Sequence, residues 1–170
     1  MMTIYALSSG PGTSGIAVIR VSGNKAKYIL ESITDGKFPD ERVATLKKII
    51  NPNTTELIDE GIVIWFKGPN GYTGEDMVEF HTHGSKAVVN KLQNIIEQFD
   101  DCRIAEPGEF TKLAFQNNKI NLLKAESIGD LIAAETELQR QQALRIMSGV
   151  SSNKFNLWRD KLIKILGEIE

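Results

Sequence analysis

The chain has 170 residues, of which 25% are charged, and a net charge of −2, as in an ordinary globular protein. This charge gives no overall attraction for nucleic acid, and no apolar run approaches the roughly 20 residues that a membrane-spanning helix needs. Cys102 is the single cysteine, so no intrachain disulfide can form, and the N-terminus lacks the pattern of a signal peptide. We therefore expect a cytoplasmic protein without a membrane partner.

The N-terminal part of the chain alternates short β-prone runs with turn signals. The runs 3–7 and 16–21 predict two strands, and the glycine-rich segment 8–15 predicts a hairpin or a ligand-facing loop between them. This segment lacks the Gly-Lys-Ser/Thr ending of a phosphate-binding loop, so we do not interpret it as one. Ser22 then qualifies as the N-cap of a helix over 24–33.

Further strands and helices follow this first group. The strand predicted over 60–67 has apolar residues on both faces, which indicates burial on both sides. Ser85 is a candidate cap for a helix over 85–99, and Pro107 lies just before a short predicted helix over 109–116. The other strands are predicted over 43–50 and 102–105.

The segment from Gly68 to Gly84 is the most informative part of the sequence. Its first half is a turn-rich loop, and its second half alternates like a strand. One strand face suits a core, whereas the other carries a carboxylate and two imidazoles that a core does not accept without partners. The pattern indicates either the wall of a binding site or an exposed face with solvated polar groups. The apolar face carries Val78, Phe80 and Thr82, and the polar face carries Met77, Glu79, His81 and His83.

Arg20 is the one charged residue in the strand predicted over 16–21. A guanidinium cannot shed its charge, so it must meet a carboxylate or an anionic ligand. One interpretation is a structural ion pair with Glu79, and the other is a ligand site that uses both residues.

Two other polar groupings carry weaker signals. His81 and His83 share a strand face, but two ligands do not close a zinc site, so we predict no metal centre. Glu75 and Asp76 are adjacent, and adjacent residues of an extended chain point in opposite directions, so loop shaping is favoured over paired acid–base chemistry. We predict no catalytic residue in this chain.

The remainder of the chain has a helical pattern. Residues 122–147 predict one long helix, and an apolar stripe on a following helix, which we interpret as core between helices, still holds at Ile169. We therefore expect a piece of a longer protein. The predicted fold class is α+β, with a mixed or antiparallel sheet and helices in a domain 1–118, followed by long α-helices in 119–170.

Several segments together resemble a known family. The Thr-Gly-Glu-Asp and Ala-x-Pro-Gly-Glu-Phe-Thr motifs are specific when they occur together, and the matching segments cover essentially the whole chain. They are Ile19-Arg20-Val21-Ser22-Gly23, Tyr72-Thr73-Gly74-Glu75-Asp76, Ala105-Glu106-Pro107-Gly108-Glu109-Phe110-Thr111, and Lys119 followed by Ala125-Glu126 and Asp130-Leu131-Ile132. In this order and spacing they resemble the N-terminal part of the MnmE (TrmE) family of tRNA-modification GTPases.

The resemblance implies a fold like the tetrahydrofolate-binding domain of the glycine-cleavage aminomethyltransferase. It also implies a homodimer formed through the N-terminal domain and a pocket for 5-formyl-tetrahydrofolate or a related one-carbon folate. Three folate-binding positions of the family map onto Arg20, Glu79 and Lys119. The full-length family also binds GTP, Mg and K and acts with tRNA and the flavoprotein MnmG (GidA). This chain has no Walker-type loop, so we do not expect it to hydrolyse GTP.

The chemistry of the three mapped residues suits a pterin. A pterin ring presents an N–H and an exocyclic amine side by side, and one carboxylate, for which Glu79 is the candidate, can accept both. Arg20, as a fixed fork, and Lys119, as a mobile point charge, would then hold carbonyl or carboxylate oxygens of the ligand.

The predicted function is a folate-binding and dimerisation module that serves 5-carboxymethylaminomethyl modification of wobble uridine in tRNA. Two alternatives stay open. One is a pure assembly module without folate binding, and the other is a folate-dependent enzyme like an aminomethyltransferase. A nucleic-acid-binding module is disfavoured by the net charge and by the lack of interleaved aromatic and basic residues.

Overall fold

The computed structural model describes residues 2–168, and the chain divides into two compact units at Asn117/Asn118. The described part of the first unit contains six strands and three helices. The strands are β1 (Thr3–Leu7), β2 (Ser14–Ser22), β3 (Thr45–Ile50), β4 (Leu57–Phe66), β5 (Met77–Gly84) and β6 (Cys102–Ile104). The helices are α1 (Ala26–Ile33), α2 (Lys86–Glu97) and α3 (Glu109–Gln116).

The strands form one mixed sheet in the order β3-β4-β5-β2-β1-β6. Neighbouring strands are antiparallel except for β1 and β6, which are parallel. The segment 8–13 joins the antiparallel strands β1 and β2, which confirms the predicted hairpin. Together with the helices, this sheet confirms the predicted α+β class.

The hydrophobic core lies on one face of the sheet, beneath α1 and α2. Alternate residues of each strand point into it, since successive side chains of a strand point to opposite faces. Val78 and Phe80 of β5 are fully buried there, as their alternation predicts. The helices contribute apolar residues at three- and four-residue spacing, namely Ala26, Ile29, Leu30 and Ile33 of α1 and Leu92, Ile95 and Ile96 of α2.

The opposite face of the sheet is more open and carries Arg20 and Glu79. Arg20 and Glu79 are direct cross-strand partners, and Ile62 of β4 pairs with His81 in the next row. Leu46 of β3 pairs with Ile62 and extends that row by one strand. The two side chains are 65% and 43% exposed, respectively. The prediction that β4 is buried on both faces is therefore wrong at Ile62, which points away from the core.

Helix α2 confirms its predicted cap, whereas α1 does not. The Ser85 hydroxyl accepts a hydrogen bond from the Val88 amide at 3.2 Å, which satisfies one of the free donors of the first turn. Ser22 was expected to cap α1, but it ends β2, and Lys25 precedes the helix without a side-chain cap. The Ser22 hydroxyl instead contacts the loop that precedes β5.

The second unit contains α4 (Leu122–Ile132), α5 (Glu137–Met147) and α6 (Val150–Gly167) within its described residues. The single helix predicted over 122–147 is wrong, because the chain breaks at 133–136. Thr136 starts α5 with a capping box, in which its side chain accepts from the Gln139 amide and the Gln139 side chain accepts from the Thr136 amide.

Helix α6 carries the apolar stripe that the sequence pattern predicts. Phe155 and Trp158 form an edge-to-face pair with their ring centroids 5.5 Å apart. Both residues are about half exposed, so the expectation that they form core between helices is not met by the described residues of this unit. The last position of the stripe, Ile169, lies outside the described residues. Within residues 2–168, none of the helices combines the length and apolar character needed to cross a bilayer.

Candidate functional site

The candidate site is built on the Arg20–Glu79 pair, which lies on the more open face of the sheet. Cross-strand pairing of β2 with β5 places the two residues directly opposite each other. Arg20 Nε and Nη2 both donate to Glu79 Oε1, at 3.0 and 2.7 Å. The side chains are 24% and 14% exposed, so the pair is only partly screened by solvent. The ion pair that the sequence left as one interpretation is therefore present.

His81 forms a hydrogen bond with the second oxygen of the Glu79 carboxylate. Its Nε2 lies 3.3 Å from Glu79 Oε2, and since an ionised carboxylate only accepts, Nε2 is the donor. Glu79 therefore has partners on both oxygens, with two guanidinium hydrogen bonds on one and an imidazole on the other. A ligand that takes both oxygens must displace at least one of these donors.

Two aromatic rings lie against the Arg20 guanidinium. Its Cζ is 5.6 Å from the centroid of Tyr72, which comes from the loop before β5, and 5.3 Å from the centroid of Phe110 on α3. Both distances are within the range of cation–π attraction, which is stronger at partly desolvated sites. The sequence interpretation did not assign these rings to the site. The only sequence feature that could have pointed to Tyr72 and Phe110 is that each lies within one of the segments that resemble the family.

The loop that carries Tyr72 is held by hydrogen bonds to β2. Thr73 is fully buried, and its hydroxyl lies 2.7 Å from the hydroxyl of Ser22, which also donates to Glu75 Oε2 at 3.2 Å. Asp76 Oδ1 accepts from the Gly68 amide at 2.9 Å and closes the loop on itself. These contacts confirm that the adjacent carboxylates Glu75 and Asp76 shape the loop.

The same loop is bonded to α3. The Tyr72 and Thr111 hydroxyls are 2.9 Å apart, and the Asn117 side-chain amide donates to the Thr73 carbonyl at 2.7 Å. Phe110 precedes Thr111 on α3, so the helix that carries the second ring is bonded to this loop. The loop and α3, which carry the two rings, are thus joined by hydrogen bonds that do not involve Arg20 or Glu79.

An ion pair anchors the start of α3. Arg103 of β6 donates to both carboxylate oxygens of Glu109, and the Glu106 amide donates to Glu109 Oε2 at 2.8 Å. The hydrogen bonds from Arg103 lower the pKa of Glu109 below its ordinary value of 4.5, and the Glu106 amide adds to the effect against the opposing influence of burial. Gly108 precedes the helix with a φ of 76°, a conformation that glycine adopts without strain.

His83 is not part of the Arg20–Glu79 cluster. Its Nδ1 and its backbone amide both bond to Asp59, each at 2.8 Å, and its side chain is 72% exposed. Burial raises the pKa of Asp59, but the hydrogen bonds from the His83 side chain and amide outweigh it, and the net pKa lies below the ordinary value. Within residues 2–168, no group of three or more His, Cys, Asp and Glu side chains is arranged to hold a metal ion.

Lys119, the third predicted folate residue, belongs to the second unit. It is exposed in the turn before α4. Its participation in a site with Arg20 and Glu79 stays a prediction.

Comparison with protein families gives two matches that together span nearly the whole chain. Residues 3–119 match the family described as GTP-binding protein TrmE N-terminus, and residues 122–170 match the MnmE helical domain. These matches agree with the resemblance drawn from the sequence motifs.

Individual relatives carry one name, tRNA modification GTPase MnmE. The protein of Pelagibacter ubique (strain HTCC1062) is 64% identical over 99% of this chain, and that of Rickettsia typhi (strain ATCC VR-144 / Wilmington) is 49% identical over 100% of it. The Brucella anthropi protein is 48% identical over 99% of the chain. In each case the chain spans 38% of the relative's length.

Proposed function

Because the chain belongs to the TrmE N-terminal family and continues into the MnmE helical domain, we propose that it is the one-carbon-folate-binding and dimerising part of a tRNA-modification GTPase. The observation that carries this proposal is the Glu79 carboxylate, which Arg20 holds on the more open face of the sheet. The Glu79 carboxylate is partly buried, and its hydrogen bonds to Arg20 on the neighbouring strand fix its orientation. Bidentate recognition of a ligand edge requires such a fixed orientation of the two oxygens.

The residues present fit a pterin. The ring's N–H and exocyclic amine would donate to Glu79, in place of the His81 donor and one of the two Arg20 donors. The Nη1 group of Arg20 has no acceptor among residues 2–168, so it is available for a ligand oxygen. Lys119 would supply a further positive charge to a carboxylate of the ligand. When bound, the folate supplies the one-carbon unit, and the residues of this chain bind and orient it.

The dimer proposal rests on the apolar residues of the open sheet face. Leu46 and Ile62 are direct cross-strand neighbours and lie in the same row as His81, beside the Arg20–Glu79 pair. Both are exposed, and burying adjacent aliphatic side chains against a second copy would remove apolar surface from water. A dimer through this face would place the folate site next to the contact.

The partners proposed for the full-length protein follow from the names of the relatives and from the family. They are tRNA, GTP with Mg and K, and the flavoprotein MnmG (GidA). The product would be the 5-carboxymethylaminomethyl group of wobble uridine. With a single cysteine, the chain suits the cytoplasm, where thiols stay reduced.

Calorimetric titration with 5-formyl-tetrahydrofolate, beside analytical ultracentrifugation, tests this proposal. We expect saturable binding by the 170-residue chain and its loss in Glu79→Ala, with the Glu31→Ala variant unchanged. Glu31 is a suitable control because it forms an exposed ion pair on α1, on the other side of the sheet. A dimer without saturable binding at millimolar ligand would instead favour the pure assembly module. Turnover of aminomethyl donors would favour the aminomethyltransferase-like alternative.

A further inference from the structure

The contact of Arg20 with two aromatic rings bears on the proposed site. We propose that Tyr72 and Phe110 are positioning residues that fix the Arg20 guanidinium so that Nη1 points to the ligand. This inference rests on the proposed function for the identity of the ligand, but the placement of Arg20 can be measured without one.

The hydrogen bonds to Glu79 do not fix the guanidinium by themselves. Arg20 uses Nε and Nη2 on a single oxygen, Oε1, rather than matching its fork to both oxygens of the carboxylate. A single acceptor atom leaves the guanidinium plane free to rotate about the line to that oxygen, whereas a bidentate pair would not. Some other contact must therefore hold the plane if Nη1 is to keep one direction.

The two rings supply that contact from separate elements. Tyr72 comes from the loop before β5 and Phe110 from α3, and both lie less than 6 Å from Arg20 Cζ. A guanidinium is flat and weakly hydrated, so it packs well on aromatic faces. Each ring restricts rotation of the guanidinium plane, and the two together leave fewer orientations than either alone.

The rings are themselves held in place. The Tyr72 hydroxyl bonds to Thr111 on α3, and the loop is tied to β2 through the buried hydroxyl pair of Thr73 and Ser22. Neither tie involves Arg20 or Glu79. The rings can therefore act as a fixed support for the guanidinium and do not depend on it for their own position.

The first test measures Arg20 directly, by NMR of its Nε–H group in the 170-residue chain without ligand. A hydrogen-bonded Nε–H on a guanidinium that packs against aromatic rings exchanges slowly with water. We expect Phe110→Leu and Tyr72→Leu, which keep apolar bulk but lose the ring face, to exchange about tenfold faster. Phe110→Tyr keeps the ring and should stay within about twofold of the parent chain. Equal exchange in the leucine variants and the parent chain would overturn the inference.

The second test measures whether the rings act through Arg20, by a double-mutant cycle on the affinity for 5-formyl-tetrahydrofolate. Phe110→Leu should weaken binding at least about fivefold in the parent chain and less than about twofold when Arg20 is already alanine. An equal loss in both backgrounds would mean that the ring touches the ligand or supports the fold, and would refute the positioning role. Thermal unfolding of each variant identifies any that fail to fold, and Tyr72→Leu replaces Phe110→Leu in that case.

The two tests separate this inference from the proposed function. If the parent chain does not bind the folate while the Nε–H exchange follows the expected order, the proposed function fails and the placement of Arg20 by the rings is upheld. If the parent chain binds the folate while exchange is the same in all variants, the positioning role fails and the proposed function stands.

Discussion

Arg20 Nη2 and Glu79 Oε1 lie 2.7 Å apart at directly paired positions of two adjacent strands. Strand pairing sets their alignment, so the pair cannot shift without a change in the register of β2 against β5. A one-residue slip would also turn Val78 and Phe80 out of the core, which is why the register is strongly determined. The core thus specifies the position of the polar site on the other face.

Replacement of Arg20 by lysine tests whether the site needs the planar guanidinium with its several N–H donors or only a positive charge. Arg20→Lys keeps one positive charge but cannot bond Glu79 and a ligand oxygen from separate nitrogen atoms in one plane. We expect affinity for 5-formyl-tetrahydrofolate to fall at least about tenfold in calorimetry. Arg140→Lys is the control, because Arg140 of α5 donates from Nε and Nη2 to Glu137 and belongs to the second unit. An unchanged affinity in Arg20→Lys would show that a point charge suffices.

His81 competes with the proposed ligand for Glu79, so its removal should favour binding. In His81→Phe the ring volume is kept, but Oε2 of Glu79 loses the donor 3.3 Å away. Because a ligand would no longer displace that hydrogen bond, we expect affinity to rise by up to about tenfold. Calorimetry at fixed pH measures the change, and His83→Phe is the matched control, since His83 bonds to Asp59 instead. Weaker binding in His81→Phe would indicate that His81 contacts the ligand.

A charge on the open sheet face should break the proposed dimer. Ile62→Glu places a carboxylate in the exposed apolar row with Leu46, where contact with a second copy would require its desolvation. We expect the sedimentation coefficient to shift to that of a monomer. Leu57→Glu serves as the control, because Leu57 is 55% exposed at the start of β4, away from this row. A dimer that persists in Ile62→Glu would exclude this face as the contact.

Local sequence signals were sufficient for the elements whose boundaries depend on short-range contacts. The first strand, the Ser85 cap of α2 and the extent of α3 were all predicted from residues within a few positions of each boundary, and all are confirmed. The pairing of Arg20 with Glu79 was also accessible, because each is a charged residue in an otherwise strand-like run.

The errors arise where distant contacts decide the outcome. Ser22 has the chemistry of an N-cap, but its hydroxyl is used by Thr73, which is 51 residues away in sequence. The contacts of Tyr72 and Phe110 with Arg20 join segments that are distant in sequence, and no periodicity encodes them. The break between α4 and α5 is of another kind, since its signal is local. Thr136 and Gln139 form a capping box that was overlooked inside a continuous helical pattern.

The Arg103–Glu109 pair predicts a definite pH dependence. Because the pKa of Glu109 is lowered in the folded state, its contribution to stability is present above its unfolded pKa and is lost as the pH falls through the folded value. The melting temperature of Arg103→Gln should therefore lie below that of the parent chain at neutral pH. This difference in melting temperature, here called the gap, should become smaller below about pH 4. Arg159→Gln, which removes an exposed pair with Asp160, should show little gap at either pH. A gap independent of pH would mean that Arg103 acts by packing alone.

The capping box of α5 should contribute measurably to the stability of the second unit. In Thr136→Ala the Gln139 amide loses its side-chain acceptor, and we expect the free energy of unfolding to fall by about 1 kcal/mol. Gln139→Ala removes the reciprocal bond to the Thr136 amide and should cost a similar amount, whereas Gln142→Ala, an exposed position on the same helix, should cost much less. Because the two residues form one motif, the double variant should cost less than the sum of the single ones. Urea unfolding followed by circular dichroism at helical wavelengths measures all four variants, and equal stabilities of Thr136→Ala and Gln142→Ala would contradict the assignment.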